Sequence, residues 1–508
     1  MIKQFSNLLV VLSLSLTTNI SLAQVQLPEP EKFSKGEGMI MLDYEDISVP
    51  GSKSIDLMGI HVMTKVNDWL YLGLGAHAPL FKGEYGGFMT LDVIAHAQRK
   101  VFGDLFVNAG VSAGGGGGGK NNQHARELSG TGGFVKTYVG LGYDFKDFSV
   151  GANFAKMKFS ESTINHSQLN AYVQFPFEYS IGSYASSGDR VSSSDEQALW
   201  ETFSDSGENM VTLGGDNFFQ INPEGSSKDT INVADLQFSH FMTKNTYWFV
   251  DIGAGYYGLV LYNQVLGGLG YRFNISPQLT LYSQLGLGSG GYAPEKMKTG
   301  TGLLVYPKAS AEYMLDKNLG VSLSAGYLDA PTGSSKNLTL GAAMNYHLPS
   351  GSGSSGSNAT DVVFSGYRFN LFQQTEFNVK SKDKDTNNIK MVSLQIDNLI
   401  NDNIYIPLQV SVAYNAFQNS PGYGEFLGGI GVQNKYYKDS RFQGFGQMLI
   451  GTNARGLIVK TGVGMNYGVS DRWAIYGLLG QTIGIDNDKF KSNNVDLGLT
   501  YRFSALKF

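Results

Sequence analysis

Strict alternation of apolar residues with small or polar residues is the feature that most constrains this chain. The stretch VDLGLTYRF, residues 495–503, places Val, Leu, Leu, Tyr and Phe on one parity and Asp, Gly, Thr and Arg on the other. The pattern recurs at 137–145 and 321–327, where the second parity carries mainly small or polar residues and few charges. Because successive side chains of a β-strand point to opposite faces, the sequence predicts an all-β fold whose strands have one apolar face.

A soluble β-sandwich would show the same alternation, with its apolar face turned inward. Two features favour a membrane-spanning β-barrel. The strands run for about 9 to 13 residues, the length that a tilted strand needs to cross a bilayer. Aromatic residues also gather beside short turns, as they do in the interfacial girdles of such barrels. The predicted girdle residues are Trp69, Trp248, Tyr405, Trp473, Tyr143, Phe145, Tyr271, Phe273, Tyr501 and Phe503.

The N-terminus predicts export. Lys3 precedes the apolar run NLLVVLSLSL and the small-residue stop Ser21-Leu22-Ala23, which is the pattern of a secretory signal peptide spanning residues 1–23. No later stretch approaches the roughly 18 uncharged apolar residues of a transmembrane helix. The chain has no cysteine, which excludes disulfides, thiolate metal sites and a lipoprotein anchor. A net charge of -5 without a basic cluster makes nucleic acid an unexpected partner.

In these features the chain resembles the porin-like outer-membrane β-barrel proteins of Gram-negative bacteria. The closing strand of that family alternates apolar residues and ends on an aromatic, as VDLGLTYRF followed by SALKF does, although Phe508 has the opposite parity to Phe503. The resemblance implies a transmembrane antiparallel up-and-down barrel in the bacterial cell outer membrane. Its implied partners are outer-membrane lipids and the barrel-assembly machinery. No subfamily is identified.

An internal repeat organises the mature chain. HVMTKVNDWLYLGLGA at 61–76 matches HFMTKNTYWFVDIGAG at 240–255 and, more loosely, residues 397–412. Anchors at three successive turns recur at similar intervals, and each repeat has room for eight strands, giving about 24 in all. The anchor sets are Trp69, Trp248 and Tyr405, then Leu105, Leu279 and Phe442, then Phe148, Leu319 and Trp473. The predicted repeats are 38–178, 212–348 and 361–508, with a linker or plug segment at 179–211 and a Gly/Ser linker at 349–360.

The sequence fits either one large barrel or three tandem eight-stranded barrels. Long polar linkers favour separable units. The Gly and Ser content of the inner faces favours one large barrel, because side chains this small would leave an eight-stranded barrel unfilled. We expect one large barrel. Residues Ser194, Gln197, Leu199, Trp200 and Phe203 suit a short helix, which is either an exposed acidic linker helix, the simpler interpretation, or a plug folded into a lumen.

The stretch SAGGGGGGKN at 112–121 resembles a nucleotide-binding loop, with Asn121 in place of the required hydroxyl. Gly114 aligns with Gly288 and Gly451 of the other repeats, at the outer end of a strand. We expect no helix after Lys120, because NNQHARELSGTGG has no apolar face. The glycine run is therefore interpreted as a strand end entering a surface loop.

No catalytic motif is evident, and we expect neither an enzyme nor a cofactor or metal. His61 and His240 are interpreted as duplicated polar residues beside the inner turns, and KSKDKDTNNIK at 380–390 as a solvated surface loop rather than a calcium site. We expect a passive channel or export conduit with a solute or polymer in its lumen. A non-conducting structural, adhesive or surface-binding barrel is the alternative, and a barrel enzyme acting on lipid or peptide is the third candidate.

Overall fold

The computed structural model describes residues 33–189, 208–260, 262–292, 295–316, 318–348, 363–436, 441–485 and 489–507. Within these ranges the chain forms three closed antiparallel barrels of eight strands each. The predicted signal peptide at 1–23, the Gly/Ser linker at 349–360 and the predicted helix residues Ser194 to Phe203 lie outside the described residues.

Barrel 1 contains the first eight strands and a short helix near its long loops. Its strands are β1 (Phe33–Ile47), β2 (Ile55–Lys65), β3 (Leu70–Ala78), β4 (Met89–Phe102), β5 (Leu105–Gly117), β6 (Gly133–Asp144), β7 (Ser149–Phe159) and β8 (Asn165–Gly182). The helix α1 (Asn122–Ser129) lies between β5 and β6. A 3₁₀ turn, Tyr184–Ser186, follows β8 in the chain.

Barrel 2 contains the next eight strands, with short connections at one end and longer loops at the other. They are β9 (Asn209–Gln220), β10 (Ile231–Phe241), β11 (Thr246–Tyr257), β12 (Asn263–Asn274), β13 (Leu279–Gly291), β14 (Leu303–Met314), β15 (Leu319–Asp329) and β16 (Lys336–Leu348).

Barrel 3 repeats this arrangement, with one additional two-residue strand at its loop end. Its strands are β17 (Val363–Ser381), the short β18 (Lys384–Asp385), β19 (Ile389–Leu399), β20 (Ile404–Ala413), β21 (Gly424–Gln433), β22 (Phe442–Asn453), β23 (Gly456–Gly468), β24 (Trp473–Gly484) and β25 (Lys491–Lys507). The prediction of about 24 strands in three sets of eight is confirmed.

The expectation of one large barrel is wrong. In barrel 1 the first strand pairs with the eighth, from Phe33 opposite Gly182 to Tyr44 opposite Ala171. β9 pairs in the same way with β16, and β17 with β25. Across the described strands of different barrels, the one backbone pair recorded is Ser504 with Gly182. Each set of eight therefore satisfies its own edge strands, and no edge remains open for a neighbouring set.

The two faces of the strands have the polarity of membrane barrels. On the outer faces, Leu169, Leu323 and Val463 are 76%, 70% and 69% exposed. On the inner faces, amide, hydroxyl and charged side chains such as Gln374, Asn370 and Arg368 are buried. A soluble sandwich would bury the apolar face, whereas this fold presents it outward as a transmembrane β-barrel does. Within the described residues, no helix has the length and apolar character needed to cross a bilayer.

The short connections align the three barrels. At the first of them, the amides of Val66, Met242 and Ile400 donate to the carbonyls of Leu70, Thr246 and Ile404. This geometry aligns His61 with Gln237 and Gln395, whereas the sequence comparison had aligned it with His240. Tyr71, Tyr247 and Tyr405 are equivalent, so the predicted first anchor set, which grouped Trp69 and Trp248 with Tyr405, was wrong. The stretches HVMT and HFMT are similar in sequence, but they lie at different distances from the first short turn.

Candidate functional site: the barrel interiors and the joined loop ends

The interior of a barrel is where a channel would run, and here each interior is filled by large side chains at both ends. We call the ends with short and long connections the turn end and the loop end. At the loop end of barrel 2, Phe218, Tyr262 and Leu304 belong to a buried hydrophobic cluster, and Phe249 and Tyr282 belong to another toward the turn end. Barrels 1 and 3 have the same two clusters. The expectation that Gly and Ser leave an eight-stranded barrel unfilled is therefore wrong, because aromatic side chains occupy the space beside the glycines, as Tyr247 does beside Gly270.

Between the two apolar clusters, each barrel has an inward-facing lysine that is paired with a carboxylate; it is buried in barrels 1 and 3 and partly buried in barrel 2. Lys136 of β6 contacts Asp43 and Glu45 of β1. Lys308 Nζ lies 2.8 Å from Asp216 Oδ2, and Lys460 Nζ lies 3.1 Å from Glu425 Oε2. Buried charges persist only when paired, so each pair ties two strands together across the barrel interior.

Barrel 1 differs from its neighbours in having histidines beside its ion pair. His61, His77 and Asp43 are fully buried, and their ligand atoms all lie within 4.8 Å of one another. The fourth strand adds Asp92, whose Oδ2 lies 3.2 Å from His77 Nδ1. Sequence reasoning treated these residues separately. The signal that could have grouped them is a Gly-x-His tripeptide on each of two adjacent strands, at 59–61 and 75–77, with Asp43 and Asp92 on inward-facing parities.

The segment that follows barrel 1 docks into barrel 3. Tyr184 of the 3₁₀ turn is buried at the turn end of barrel 3, where its amide donates to Asp471 Oδ2 at 3.3 Å and its hydroxyl to Gln443 Oε1 at 3.4 Å. The guanidinium of Arg502 lies 5.1 Å from its ring centroid. Tyr184 belongs to the predicted linker or plug segment at 179–211 and packs inside barrel 3. The helix predicted within that segment lies outside the described residues and stays a prediction.

The loop ends of the three barrels touch one another. Between barrels 1 and 2, Ser289 Oγ donates to the carbonyl of Pro79 at 2.6 Å and the amide of Gly86 to the carbonyl of Gly300 at 3.1 Å. Between barrels 2 and 3, Thr452 Oγ1 lies 3.5 Å from the carbonyl oxygen of Gly255. These contacts join the long loops into one continuous surface.

The glycine run at 114–119 forms part of the junction between barrels 1 and 3. An ideal Cβ at Gly115 would lie 2.3 Å from the carbonyl oxygen of Ala413, so barrel 3 occupies the space of a side chain there. The run continues β5 against β4, as the strand-end interpretation predicted. The expectation that no helix follows was wrong, because Asn121 caps α1 by accepting from the amide of His124 at 2.8 Å. Lys120 Nζ pairs with Glu84 Oε2 at 2.7 Å.

A polar pocket of ≈ 410 Å³ opens on the loop surface of barrel 3. It is formed around β18, inside the stretch interpreted from sequence as a solvated surface loop. Lys382, Lys384 and Arg455 give its rim positive charge, and Asp385 is the one acid among its lining residues. Lys489 and Asp383 form an exposed ion pair of 2.6 Å nearby.

Nine of the ten predicted girdle residues lie on the outer faces of the barrels. Trp69, Tyr143, Phe145, Tyr271 and Phe273 are 42 to 50% exposed. Trp248, Trp473 and Tyr501 are partly exposed, and Phe503 is covered by the neighbouring rings of Tyr367 and Phe369. Tyr405 is the exception and the prediction for it was wrong. Its side chain is fully buried inside barrel 3, where its hydroxyl lies 3.0 Å from Gln447 Oε1, because its parity faces inward. That the outer residues lie at a bilayer interface stays a prediction.

The comparisons with known proteins concern the fold alone. No protein-family profile and no curated protein matches the chain. Among solved structures, the Yersinia pestis outer membrane protein Ail matches at 15% identity and a TM-score of 0.20, over 28% of this chain and 99% of that one. The ferric enterobactin receptor of Pseudomonas aeruginosa matches at 8% identity and a TM-score of 0.28, over 92% and 80%. The NanC porin matches at 11% identity and a TM-score of 0.17, over 57% and 98%. These similar structures are outer-membrane β-barrels, but scores this low carry no argument about function.

Proposed function

We propose that this chain is an integral protein of the bacterial outer membrane, in which three filled barrels anchor one joined loop surface. In this proposal the protein acts at that surface, in a structural, adhesive or surface-binding role, and does not conduct solutes. The outward-facing apolar residues supply the contact with outer-membrane lipids. The predicted signal peptide supplies the route of export, and the barrel-assembly machinery is the proposed partner for insertion of the closed barrels.

The filled interiors are the observation that supports this proposal. A solute passing through barrel 2 would have to displace the loop-end cluster around Tyr262, the pair of Lys308 with Asp216, and the turn-end cluster around Tyr282. Protein interiors of this kind are close-packed, so their displacement costs the burial of several aromatic side chains together with an ion pair.

Single-channel recording in a planar bilayer tests the proposal. The full chain, refolded in detergent and shown to be folded by heat-modifiable migration in gels, is compared with a general porin at the same protein density. We expect no stable current steps from the chain and large steps from the porin. Stable steps of nanosiemens size from the folded chain would contradict the non-conducting proposal.

A porin-like channel or export conduit is the second candidate, and the middle of barrel 3 is the observation that favours it. There the interior is lined by amides and hydroxyls that bond to one another. Gln395 Nε2 donates to Gln447 Oε1 at 3.0 Å, and Gln409 Nε2 donates to Gln374 Oε1 at 3.0 Å. Such side chains would line a hydrated path once the apolar clusters moved, so this candidate requires gating.

The same recording distinguishes the two candidates. A gated channel opens in brief steps whose frequency changes with voltage, and the Lys460→Met variant, which removes the cation at mid-height of barrel 3, changes the conductance of those steps. A non-conducting protein gives no current steps, either as the parent chain or as Lys460→Met.

We also propose that the protein is not an enzyme. His240, one of the two histidines considered from sequence, packs beside Trp248 with ring centroids 5.4 Å apart, and its Nδ1 lies 2.8 Å from Asn209 Oδ1. His61 is sealed inside barrel 1. Lipase and peptidase assays on the folded protein in detergent test this proposal, and an activity lost in His61→Gln or His240→Gln would contradict it.

A further inference from the structure

We propose that barrel 1 contains a binding site for one divalent transition-metal ion, built from Asp43, His61 and His77 with Asp92 beside them. The site is independent of the proposed surface role. Four consecutive strands, β1 to β4, contribute one residue each. No part of the sequence pattern or of the comparisons assigns a metal to this chain.

The backbone register brings these four side chains together inside the barrel. Asp43 is opposite Gly59, and Gly59 is opposite His77. In the next row, His61 is opposite Gly75, and Gly75 is opposite Asp92. Glycine therefore alternates with a potential ligand along each row. An ideal Cβ at Gly59 would lie 1.9 Å from Asp43 Oδ1, and one at Gly75 would lie 2.2 Å from the ring of His61. The glycines are needed because the side chains of the neighbouring strands lean over them.

His61 is the residue that points to a ligand. Its side chain is completely buried, and neither ring nitrogen has a hydrogen-bond partner. Nδ1 lies 3.8 Å from Asp43 Oδ1 and Nε2 lies 3.9 Å from Asp92 Oδ1, and these two oxygens also lack hydrogen bonds. Such gaps are too long for a hydrogen bond. The gap between Nδ1 and Asp43 fits a nitrogen and an oxygen that share one cation, to which each binds at about 2.0 to 2.2 Å. Nε2 points away from Nδ1, so Asp92 lies beside the site and does not share that ion with His61.

His77 is oriented as metal-binding histidines commonly are. Its ring meets that of His61 edge to face, with centroids 5.1 Å apart. Its Nδ1 lies 3.2 Å from both Asp92 Oδ2 and Thr90 Oγ1. A carboxylate or hydroxyl on one ring nitrogen fixes the ring and leaves the other nitrogen for a metal. Nε2 of His77 also lies 3.4 Å from Lys136 Nζ, so Lys136 must turn toward Glu45 when the ion binds.

The other two barrels show what is particular to barrel 1. Each of them also places carboxylates beside an inward-facing lysine, and neutral donors reach some of these acids, as when Gln264 Nε2 donates to Asp251 Oδ1 at 3.0 Å. Asp235 Oδ1 and Glu376 Oε2 lack hydrogen bonds there, so the histidines rather than the acids distinguish barrel 1. At the positions equivalent to His61, barrels 2 and 3 have Gln237 and Gln395. At the positions equivalent to His77, they have Gly253 and Ser411. Barrel 1 thus replaces neutral side chains with two imidazoles at the centre of its acidic layer.

The donor set indicates the class of metal. Imidazole nitrogen with carboxylate oxygen suits Zn²⁺, Mn²⁺, Fe²⁺, Co²⁺ or Ni²⁺ better than Ca²⁺ or Mg²⁺, which prefer oxygen alone. Apolar clusters that include Phe134 on the loop side and Phe106 on the turn side cover the site. We therefore infer that the ion enters during folding and that its role is to hold the first four strands of barrel 1 together.

The test is refolding of the full chain with Co²⁺ as the probe. The protein is refolded in detergent with Co²⁺ or with chelator, freed of unbound metal and analysed for cobalt content and visible absorption. We expect one cobalt per chain, absorption bands of a low-coordinate nitrogen and oxygen site, and a higher unfolding temperature than in chelator. Cobalt content near zero in the folded protein would overturn the proposal.

Two variants make the test specific. His61→Gln installs the residue that both other barrels carry at this position, so we expect it to fold but to bind less than a tenth of the cobalt. His347→Gln is the matched control. His347 of barrel 2 lies between Glu208 and Glu312, at 2.9 and 3.0 Å, with both ring nitrogens paired. It should leave the cobalt content unchanged. Full cobalt binding by folded His61→Gln, or equal loss in both variants, would overturn the assignment to barrel 1.

Discussion

Lys136 of barrel 1 and Lys460 of barrel 3 occupy the same position in their barrels. Each lies on the sixth strand, the same number of residues before a matching backbone hydrogen bond at the turn end. In barrel 1 the amide of Asp144 donates to the carbonyl of Asp104, and in barrel 3 the amide of Gly468 donates to the carbonyl of Arg441. Each side chain is almost fully buried. Their partners come from different strands, since Asp43 is on the first strand and Glu425 on the fourth. The buried cation is thus a shared feature of the two interiors, whereas the anion that pairs with it is particular to each barrel.

Removing this cation should destabilise barrel 3. In Lys460→Met, Glu425 keeps its burial but loses its ion pair, and breaking a buried pair from one side costs about 3 to 5 kcal/mol. Urea unfolding in lipid vesicles, followed by tryptophan fluorescence, measures the change. The double variant Lys460→Met with Glu425→Gln removes both charges and should recover most of the loss, while Lys384→Met, on the exposed β18, should change nothing. If Lys460→Met is as stable as the parent protein, the burial of Glu425 does not depend on its ion pair with Lys460.

Docking of Tyr184 should stabilise barrel 3 from outside its own sequence. We expect Tyr184→Ala to lower the unfolding free energy of barrel 3 by about 3 kcal/mol, because a large buried aromatic is removed. Tyr184→Phe keeps the ring and loses one long hydrogen bond, so its effect should be below about 1 kcal/mol. Tyr257→Ala is the control, because that tyrosine is 66% exposed. Equal effects of Tyr184→Ala and Tyr257→Ala on barrel 3 would contradict the docking role.

The junction between barrels 1 and 3 should depend on Gly115. Gly115→Val places methyl groups where the carbonyl of Ala413 lies, so the barrels should separate at their loop ends while each stays closed. Spin labels placed on exposed loops of the two barrels, read by pulsed electron resonance, would show a longer and broader distance distribution. Gly446→Val is the matched control, since an added Cβ there meets no atom closer than 3.8 Å. Unchanged distances in folded Gly115→Val would contradict the close approach.

The outer faces should not tolerate charge. Leu323 lies in the middle of β15 and is 70% exposed, so Leu323→Arg should destabilise the protein in lipid vesicles by about 2 to 4 kcal/mol if that face meets the bilayer core. Val66→Arg, in a short turn, should cost less than about 1 kcal/mol. In a soluble protein both exposed positions would accept arginine equally, so equal effects would argue against a membrane-facing surface.

Much of the fold could be predicted from local pattern. The inward and outward parities of strands such as 137–145 follow from alternation, and the strand starts at Leu105, Leu279 and Phe442 follow from turns followed by apolar runs. The errors arose where a similarity in local sequence was used to assign the position of a side chain in the barrel. Tyr405 was placed outside because it follows a short turn as Trp69 does, and His61 was aligned with His240 because HVMT resembles HFMT. A shift of three residues reverses the parity and so moves a side chain from one face to the other.

The candidate metal site could not be predicted in this way. Asp43, His61, His77 and Asp92 are separated by 15 to 18 residues at each step, and only the register of four adjacent strands brings them together. The same is true of Tyr184, which is close in sequence to barrel 1 and packs in barrel 3.

The sequence by itself determined that the chain forms about 24 amphipathic strands with apolar outer faces, because the two-residue period and the strand length are local properties. Whether those strands close as one barrel or as three was decided only by the tertiary structure. The backbone hydrogen bonds of an edge strand are the same whichever partner it meets, so β8 could in principle pair with β9 or return to β1. It returns to β1, because the aromatic and charged side chains of each set of eight fill a barrel of that size.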